Sequence, residues 1–545
     1  MWFATEVIFP RIIRSFFWVV IIQAIYISFL FLLMKSISWN PFTGIIDWLF
    51  YLIHWKTLLY QVILCLSTVL FGVLNMQYYS VQKHIPTTRF QKICHILSPR
   101  YLQHFIVTSG LGVVVSFCFV GLSHSFDPEK TSILGSCLQV ETEFEYFFVI
   151  QHGCFSGFMF SLKYFVCCLY LLKFSLEQKT KLQFIQNQAF ELLKDSASCI
   201  LKSLLWNYLL FFMISSFLPS YIFIFSKQHF SSVENILYSL FSFKLFLASV
   251  MSGIVIFFNW SLYILIFNTC AVEPYCFNID MPTKNKNNKC LSTAIQSSET
   301  DILKYLAVMD LRLLAQHNLK RRLQIFDISH PGGHPYQWNS ISEECELSLK
   351  VLLEKLHTYA VNVAAKESKP EHIASKEGLE QTYAKQYGTK PLTNVNKKVF
   401  PCFQRWPTVI CSYFFDELPN TKIKQIFSSS QYLVWMIEAL GYLLTASYVE
   451  DKYGVVQLML PKLVCLLLDL KMAEEKLPID PIGIERHVRD PQDRYEHIHQ
   501  RLALKTAVNS SLSRIATVFK DDVKGIYLPD EYDRYFQRFL DRKNI

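Results

Sequence analysis

Between Leu245 and Cys270 the chain reads LFLASVMSGIVIFFNWSLYILIFNTC, without a single charged residue. That length exceeds the roughly 20 residues an α-helix needs to cross the hydrocarbon of a bilayer. A soluble fold has no ready use for so long an uncharged run, so the stretch predicts a membrane span. It also marks a change of character. Residues 1–270 hold 17 Lys and Arg and 11 Asp and Glu, whereas the remaining 275 hold 36 and 33. The later part has the charge density of an ordinary globular domain. The chain therefore reads as half membrane anchor and half soluble module.

Five further apolar runs precede the first. The expected spans are about 15–34, 57–79, 105–122, 146–172, 203–225 and 245–270, within a membrane domain of residues 1–270. Arg11 and Arg14 flank the first run, which is too long for a signal-peptide core and has no small-residue cleavage site, so it reads as a retained span. Positively charged loops are held on the cytoplasmic side during insertion. With residue 1 in the cytosol, the cytosolic segments hold eleven Lys and Arg (Arg11, Arg14, Lys83, Arg89, Lys92, Arg100, Lys173, Lys179, Lys181, Lys194 and Lys202), against five on the other side. Both ends of the bundle sequence are thus expected on the cytosolic side. Lys163 interrupts span four, where a lysine is costly unless it snorkels, pairs or lines a cavity; a snorkelling or packed lysine is the favoured reading. Gly153 and Gly157 on the same span form a G-x-x-x-G, a helix-packing motif that lets another helix approach closely. Gly44 to Trp55, rich in aromatics and too short to cross, reads as an interfacial segment.

After the last span, residues 271–298 carry Pro274, Pro282 and KNKNNK, and read as a tether. Residues 299–365 read as a helical segment whose first helix is capped at Ser298 or Thr300 and runs toward Lys320, Arg321 and Arg322. That basic triplet is compatible with a lipid-headgroup patch, although cations at a helix end also suit its dipole, the favoured reading. Pro331, Gly332, Gly333, His334 and Pro335, followed by Trp338, cannot be helical and predict a connector. Ser340 with Glu343 offers a capping box for the next helix. Residues 366–398 read as a flexible linker and 399–545 as a C-terminal helical domain. Within it, Gln431 to Val449, containing Trp435, and Val455 to Leu470 predict a helical hairpin turning at Gly454. Glu438 in one arm and Pro461 with Lys462 in the other argue against further spans. Helices are also expected at Tyr495–Lys520 and Glu531–Arg542. The fold class is all-α: a six-helix transmembrane bundle followed by a helical cytosolic domain.

The chemistry-bearing patterns give little. The 15 cysteines include no C-x-x-C pair, and only Cys137 falls well inside a lumenal loop, so neither a metal site nor a lumenal disulfide is expected. His330 and His334 lack neighbouring ligands at metal spacing. No nucleophile elbow, P-loop, dinucleotide fingerprint or H-E-x-x-H occurs. No enzyme and no cofactor are expected. The soluble half, at only +3 with no one-signed face, argues against nucleic acid as a direct partner.

Four segments together resemble a known family, the transmembrane nucleoporins of the nuclear division cycle (Ndc) type: Ile302–Leu314 (ILKYLAVMDLRLL), Arg321–Glu344 around PGGHP, Trp435–Pro461 around SYVEDKYGVVQ, and Leu504–Phe519 (LKTAVNSSLSRIATVF). They recur in the family's order, and the six spans fit its membrane half. The resemblance implies an integral protein of the pore membrane whose soluble half faces the pore. It implies that the protein anchors the pore scaffold, helps insert new pores, and meets an ALADIN-type WD-repeat protein, a membrane-binding nucleoporin with an RRM-like domain, and other pore-membrane proteins. The linker at 366–398 is short and lacks the Ser/Pro-rich insert of vertebrate members. Pro331, Gly332, Gly333, His334, Trp338, Trp435 and Gly454 are the candidate partner-binding or architectural residues. A polytopic transporter or lipid-handling protein of the endoplasmic reticulum is the alternative, with Lys163 as its main hint.

Overall fold

The computed structural model describes residues 2–36, 50, 53–126, 143–174, 181–217, 242–279, 290–297, 300–328, 333–367, 413–418, 421–477, 491–520 and 528–541. The interfacial segment at Gly44–Trp55 lies largely outside these, and Pro219, the KNKNNK run, Cys137 and the 366–398 linker lie outside them almost entirely. Among the described residues the secondary structure is helical, with only isolated bridges between extended residues. The chain divides into two compact units. One holds Met1–Val81 and Cys94–Glu273, the other Gln82–Ile93 and Pro274–Ile545.

Among the described residues the first unit is a bundle of six long helices: α1 (Phe9–Ser36), α2 (Trp55–Asn75), then, after the short α3 (Arg89–Ile96), α4 (Pro99–Phe126), α5 (Glu143–Val166), α6 (Lys181–Phe217) and α7 (Phe243–Ala271). The uncharged run forms α7, which packs against all five other bundle helices. Two-thirds of its apolar window is buried, against 28–50% for the other bundle helices long and apolar enough to cross a membrane. Its Trp260 stacks on Phe71 of α2 at 4.5 Å, and Phe160 of α5 meets the same indole edge-on at 5.2 Å. Such pairs add to what area burial supplies.

Alternation of the helices gathers their ends. Arg11 donates to the carbonyl of Ala271 at 2.8 Å, capping the C-terminus of α7, and Arg14 pairs with Glu273 at 2.9 Å. A cation there suits the negative end of the helix dipole. Ser80 after α2 bridges Leu171 after α5, Lys173 donates its backbone N–H to Asn268, and the Tyr78 hydroxyl donates to the carbonyl of Arg100 at 2.6 Å. One end of the bundle therefore holds the start of α1 and the close of α7. An even number of crossings requires that arrangement.

Span four ends sooner than the sequence suggests, at Val166 rather than near Leu172, which puts Lys163 in the last turn of α5. Span five starts sooner, because α6 is helical from Lys181; at 1.5 Å per residue its 37 residues run about 55 Å, beyond the ~30 Å of hydrocarbon.

The second unit contains α8 (Leu291–Gln296), α9 (Asp301–His317), α10 (Leu319–Phe326), α11 (Tyr336–Glu367), α12 (Thr421–Phe427), α13 (Ser430–Glu450), α14 (Leu460–Glu475), α15 (Pro491–Val518) and α16 (Asp530–Asp541). α13 is central and packs on α9 and α15. Pro461 does not interrupt α14; it occupies its first turn, where its missing N–H costs nothing. The described part of the expected tether is not free. Phe277, Ile279, Leu291 and Ile295 are buried, and Asn278 bridges Cys290. Those apolar residues sit in segments too short to show a period.

Gln82–Ile93, from the loop between α2 and α4, also belongs to this unit. The Leu418 N–H donates to Thr87 at 2.9 Å, Gln425 donates to the carbonyl of Ile85, Phe90 packs on Phe415 at 4.8 Å, and Arg89 lies 4.1 Å over the Tyr413 ring while donating to its carbonyl.

Candidate interaction site

Of the connector residues, Pro331 and Gly332, with His330, lie outside the described set. Gly333 is half-buried and His334 exposed. The connector ends where the Tyr336 N–H closes on the His334 carbonyl at 2.8 Å. α11 starts there, so Ser340 is not its cap: it lies inside the helix, and its hydroxyl accepts from Gln296 at 3.1 Å. Pro335 displaces the start, because its carbonyl takes the Asn339 N–H and its fixed φ suits the turn before a helix. Trp338 is fully buried, with its ring 6.1 Å from Phe326.

The hairpin places its candidates differently. Trp435 is fully buried against Tyr305, whose hydroxyl burial pushes well above the usual tyrosine range. Gly454 adopts φ +67°, a left-handed conformation that favours glycine. The Asp451 carboxylate accepts the N–H groups of Tyr453 and Val456, which fixes the turn. The turn exposes Val449, Tyr453 and Leu458, at 83%, 59% and 86%. Three apolar residues held out around this turn, with Lys452 exposed among them, make it the candidate contact surface of the unit.

The basic triplet is mostly committed to the fold. α9 and α10 are separate helices because Asn318 stops one and caps the other by accepting from Arg321 N–H. Arg321 then grips Asp310 with two parallel bonds of 2.7 and 2.8 Å, and Asp310 also accepts the Phe277 N–H. The hydrogen bond to that carboxylate raises the guanidinium above even its usual range. Arg322 pairs with Glu450 through bonds of 2.7 and 2.9 Å. These partners were not evident in the sequence, where the only signal is a lone Asp inside the apolar run of α9.

Glu438, the charge that argued against a span, pairs with Arg312 of α9 inside the same unit. Cys345 is fully buried, and burial pushes its thiol up to about 12, which leaves it protonated and unreactive. Among the described residues no cluster of His, Cys, Asp and Glu could hold a metal ion.

In the bundle, Gly153 and Gly157 lie where α5 crosses α4. A Cβ at Gly153 would meet Ser116 and the Gly112 carbonyl, and one at Gly157 the Thr108 carbonyl. The same seam carries His104, which shares a 2.6 Å hydrogen bond with Ser161 and a longer one with Asn75. Lys163 has a partner that sequence reading did not supply, Asp195 of α6 at 2.6 Å.

Six described helices are long and apolar enough to cross a membrane, and they differ from the six bundle helices at one place: α13 qualifies and α5 does not. α13 is nonetheless a core helix of the second unit. α5 falls short because Gln151, His152 and Lys163 dilute it, yet His152 is fully buried within the bundle.

A family profile described as Nucleoporin protein Ndc1-Nup matches residues 6–537, across both units. The chain is 23% identical to Nucleoporin NDC1 of Homo sapiens over 98% of this chain and 96% of that protein. It is 24% identical to Nucleoporin NDC1 of Danio rerio over 99% of each. Nucleoporin ndc-1 of Caenorhabditis elegans is 25% identical over 48% of this chain and 45% of its own length. With the bundle and the profile match in hand, the chain belongs to the Ndc1 family of nucleoporins, multi-pass proteins of the nuclear pore membrane.

Proposed function

We propose that this chain anchors the nuclear pore complex in the nuclear envelope and supports pore assembly by recruiting soluble nucleoporins. The observation that carries the reading is the match over residues 6–537, which covers the bundle and the helical unit together. Six spans supply an anchor that does not dissociate from the bilayer. The helical unit presents the recruiting surface on the cytosolic side, an orientation supported by the eleven basic residues assigned to that side. Partners in this reading are the ALADIN-type WD-repeat protein, the membrane-binding nucleoporin with an RRM-like domain and other pore-membrane proteins.

Within the helical unit, Trp338 and Trp435 serve the core, because a side chain with no exposed surface offers nothing to a partner. Recruitment falls to the turn that Gly454 shapes, through Val449, Tyr453 and Leu458. Gly153 and Gly157 serve helix packing inside the bundle. Lys163 no longer favours a transport pathway, since it lies in the last turn of α5 and pairs with Asp195 of α6.

The test uses the full-length tagged chain in cells, imaged and then purified with its partners. Rim puncta overlapping pore markers, with nucleoporins recovered, is the expected result. The double variant Val449→Glu with Leu458→Glu should keep its place at the rim and lose roughly tenfold or more of at least one partner, the scale of a contact-surface hot spot. Diffuse reticular staining of the unaltered chain would overturn the anchor reading. Rim staining with full recovery by the double variant would move recruitment away from this turn.

A further inference from the structure

At the bundle end opposite the Arg11–Ala271 contact, a cavity of about 430 Å³ opens between α2, α4 and α5. Its walls are Trp55, Leu59, Phe117, Val120 and Ile150, with Lys56, Tyr60 and Tyr146 as its polar groups. Gly121 forms part of the floor, where a Cβ would strike the Tyr60 ring. Trp55, Leu59 and Phe117 are 64%, 50% and 57% exposed on helices that cross a membrane. The medium touching them is therefore lipid, and a cavity open to that medium fills with lipid unless protein fills it.

We infer that this cavity holds a glycerophospholipid, with its phosphate at Lys56 and the hydroxyl of Tyr60 and one acyl chain along Leu59, Phe117, Val120 and Ile150. The polar groups select the ligand. Lys56 lies 5.8 Å from the Trp55 ring centroid, and no carboxylate among the described residues pairs with it. A phosphate offers several acceptor oxygens to the ammonium and a phenol, and charge-assisted bonds of this kind are the strong ones. A sterol has one hydroxyl and no charge to set against Lys56. The position fits as well: Lys56 stands one residue into α2, at the depth where lysine, tyrosine and tryptophan meet headgroups. This site depends only on the chain spanning a bilayer, and it stands or falls separately from nucleoporin recruitment.

The test reconstitutes the full-length chain in phosphatidylcholine bilayers doped with a phosphatidylcholine carrying a photoactivatable group on one acyl chain, and maps the labelled peptides. Label should concentrate on residues 55–60 and 117–121. It should fall roughly fivefold in Lys56→Gln, which removes one basic contact with a headgroup, and further in Ile150→Trp, which fills the cavity. Equal melting temperatures of the variants and the unaltered chain establish that the bundle is intact; if Ile150→Trp melts early, Leu59→Trp takes its place. Label spread evenly along the spans and unmoved by the substitutions would overturn the inference, leaving only annular lipid. So would stronger labelling of these peptides by a photoactivatable sterol, a pertinent competitor because Lys56, Tyr60 and Val62 also fit a spacing suggested for sterol contact.

Discussion

The bundle and the helical unit both bury apolar helix faces, and they are held together differently. Between bundle helices in lipid there is little hydrophobic drive, so close approach and hydrogen bonds do the joining. α4 and α5 touch backbone to backbone at Gly112, Gly153 and Gly157. The Asn259 amide donates to Thr68 at 2.6 Å, which donates to Gln23 at 2.8 Å, linking α7, α2 and α1. The helical unit carries a leucine-rich core, with Leu440, Leu443, Leu463 and Leu467 all buried. Its charged residues then fix which helices meet: Asp310 with Arg321, Glu450 with Arg322, Glu474 with Arg501. An apolar run alone does not reveal its solvent; the partners of its few polar residues do.

The sharpest way to break this contrast is Asp310→Ala. It leaves Arg321 without a carboxylate at a site where the pair is 18% and 4% exposed, and it orphans the Phe277 N–H. Removing one partner of a buried pair costs about 3–5 kcal/mol. The helical unit should therefore melt early in thermal unfolding while the bundle keeps its transition, and a coincident shift of both would mean the units are not separately held.

In the bundle the corresponding test is Gly157→Leu, which drives a side chain into the Thr108 backbone and should cost about 1–3 kcal/mol or more as overpacking. Gly110→Leu on α4 is the control. Nothing lies within 4 Å of the position its Cβ would take, so a change within about 0.5 kcal/mol is expected. Equal melting temperatures in detergent for the two variants would remove close approach as the principle of the bundle.

The smallest effect concerns Glu346, which accepts from Lys350 at 2.6 Å and from Lys462 at 2.8 Å. Burial opposes its ionisation, and the two lysine hydrogen bonds overcome that, so the carboxyl sits below its usual range. A depressed value means the unfolded chain binds the proton more readily. Stability from this group is thus fully present above the ordinary carboxylate range near ~4.3 and declines as pH falls through the lower folded value. Glu346→Gln should lower the denaturant midpoint modestly at neutral pH and flatten its acid limb, so that the variant and the unaltered chain converge as the pH falls.

Much of this was legible in the residues. Length without charge revealed α7, and Glu438, in a run otherwise fit to cross a membrane, finds its partner Arg312 on α9 within the second unit. Lys163 read as an intrusion because Asp195, 32 positions away, has nothing in its local sequence that points to it. Ser340 with Glu343 matched a capping box, but Pro335 set the start of α11 first. Phe277 and Ile279 were invisible as core because a buried extended segment of a few residues has no period to detect. Of the interaction site, the glycine at the turn was apparent, whereas the outward pointing of Val449 and Leu458 depends on how α13 packs on α9 and α15.

Gln82–Ile93 is synthesised early and belongs to a unit whose remainder begins at Pro274. At roughly 5–20 residues per second, the ribosome finishes the helical unit roughly 20–90 s after that segment emerges. Four further spans are made in the interval. For most of it, Phe90 and Arg89 are without Phe415 and Tyr413, and the segment is open to chaperones or to other chains. The order of synthesis thus leaves an early loop waiting for a segment made after all six spans, and a ribosome stalled between the two would leave a chain whose spans are made and whose early loop still lacks its partner.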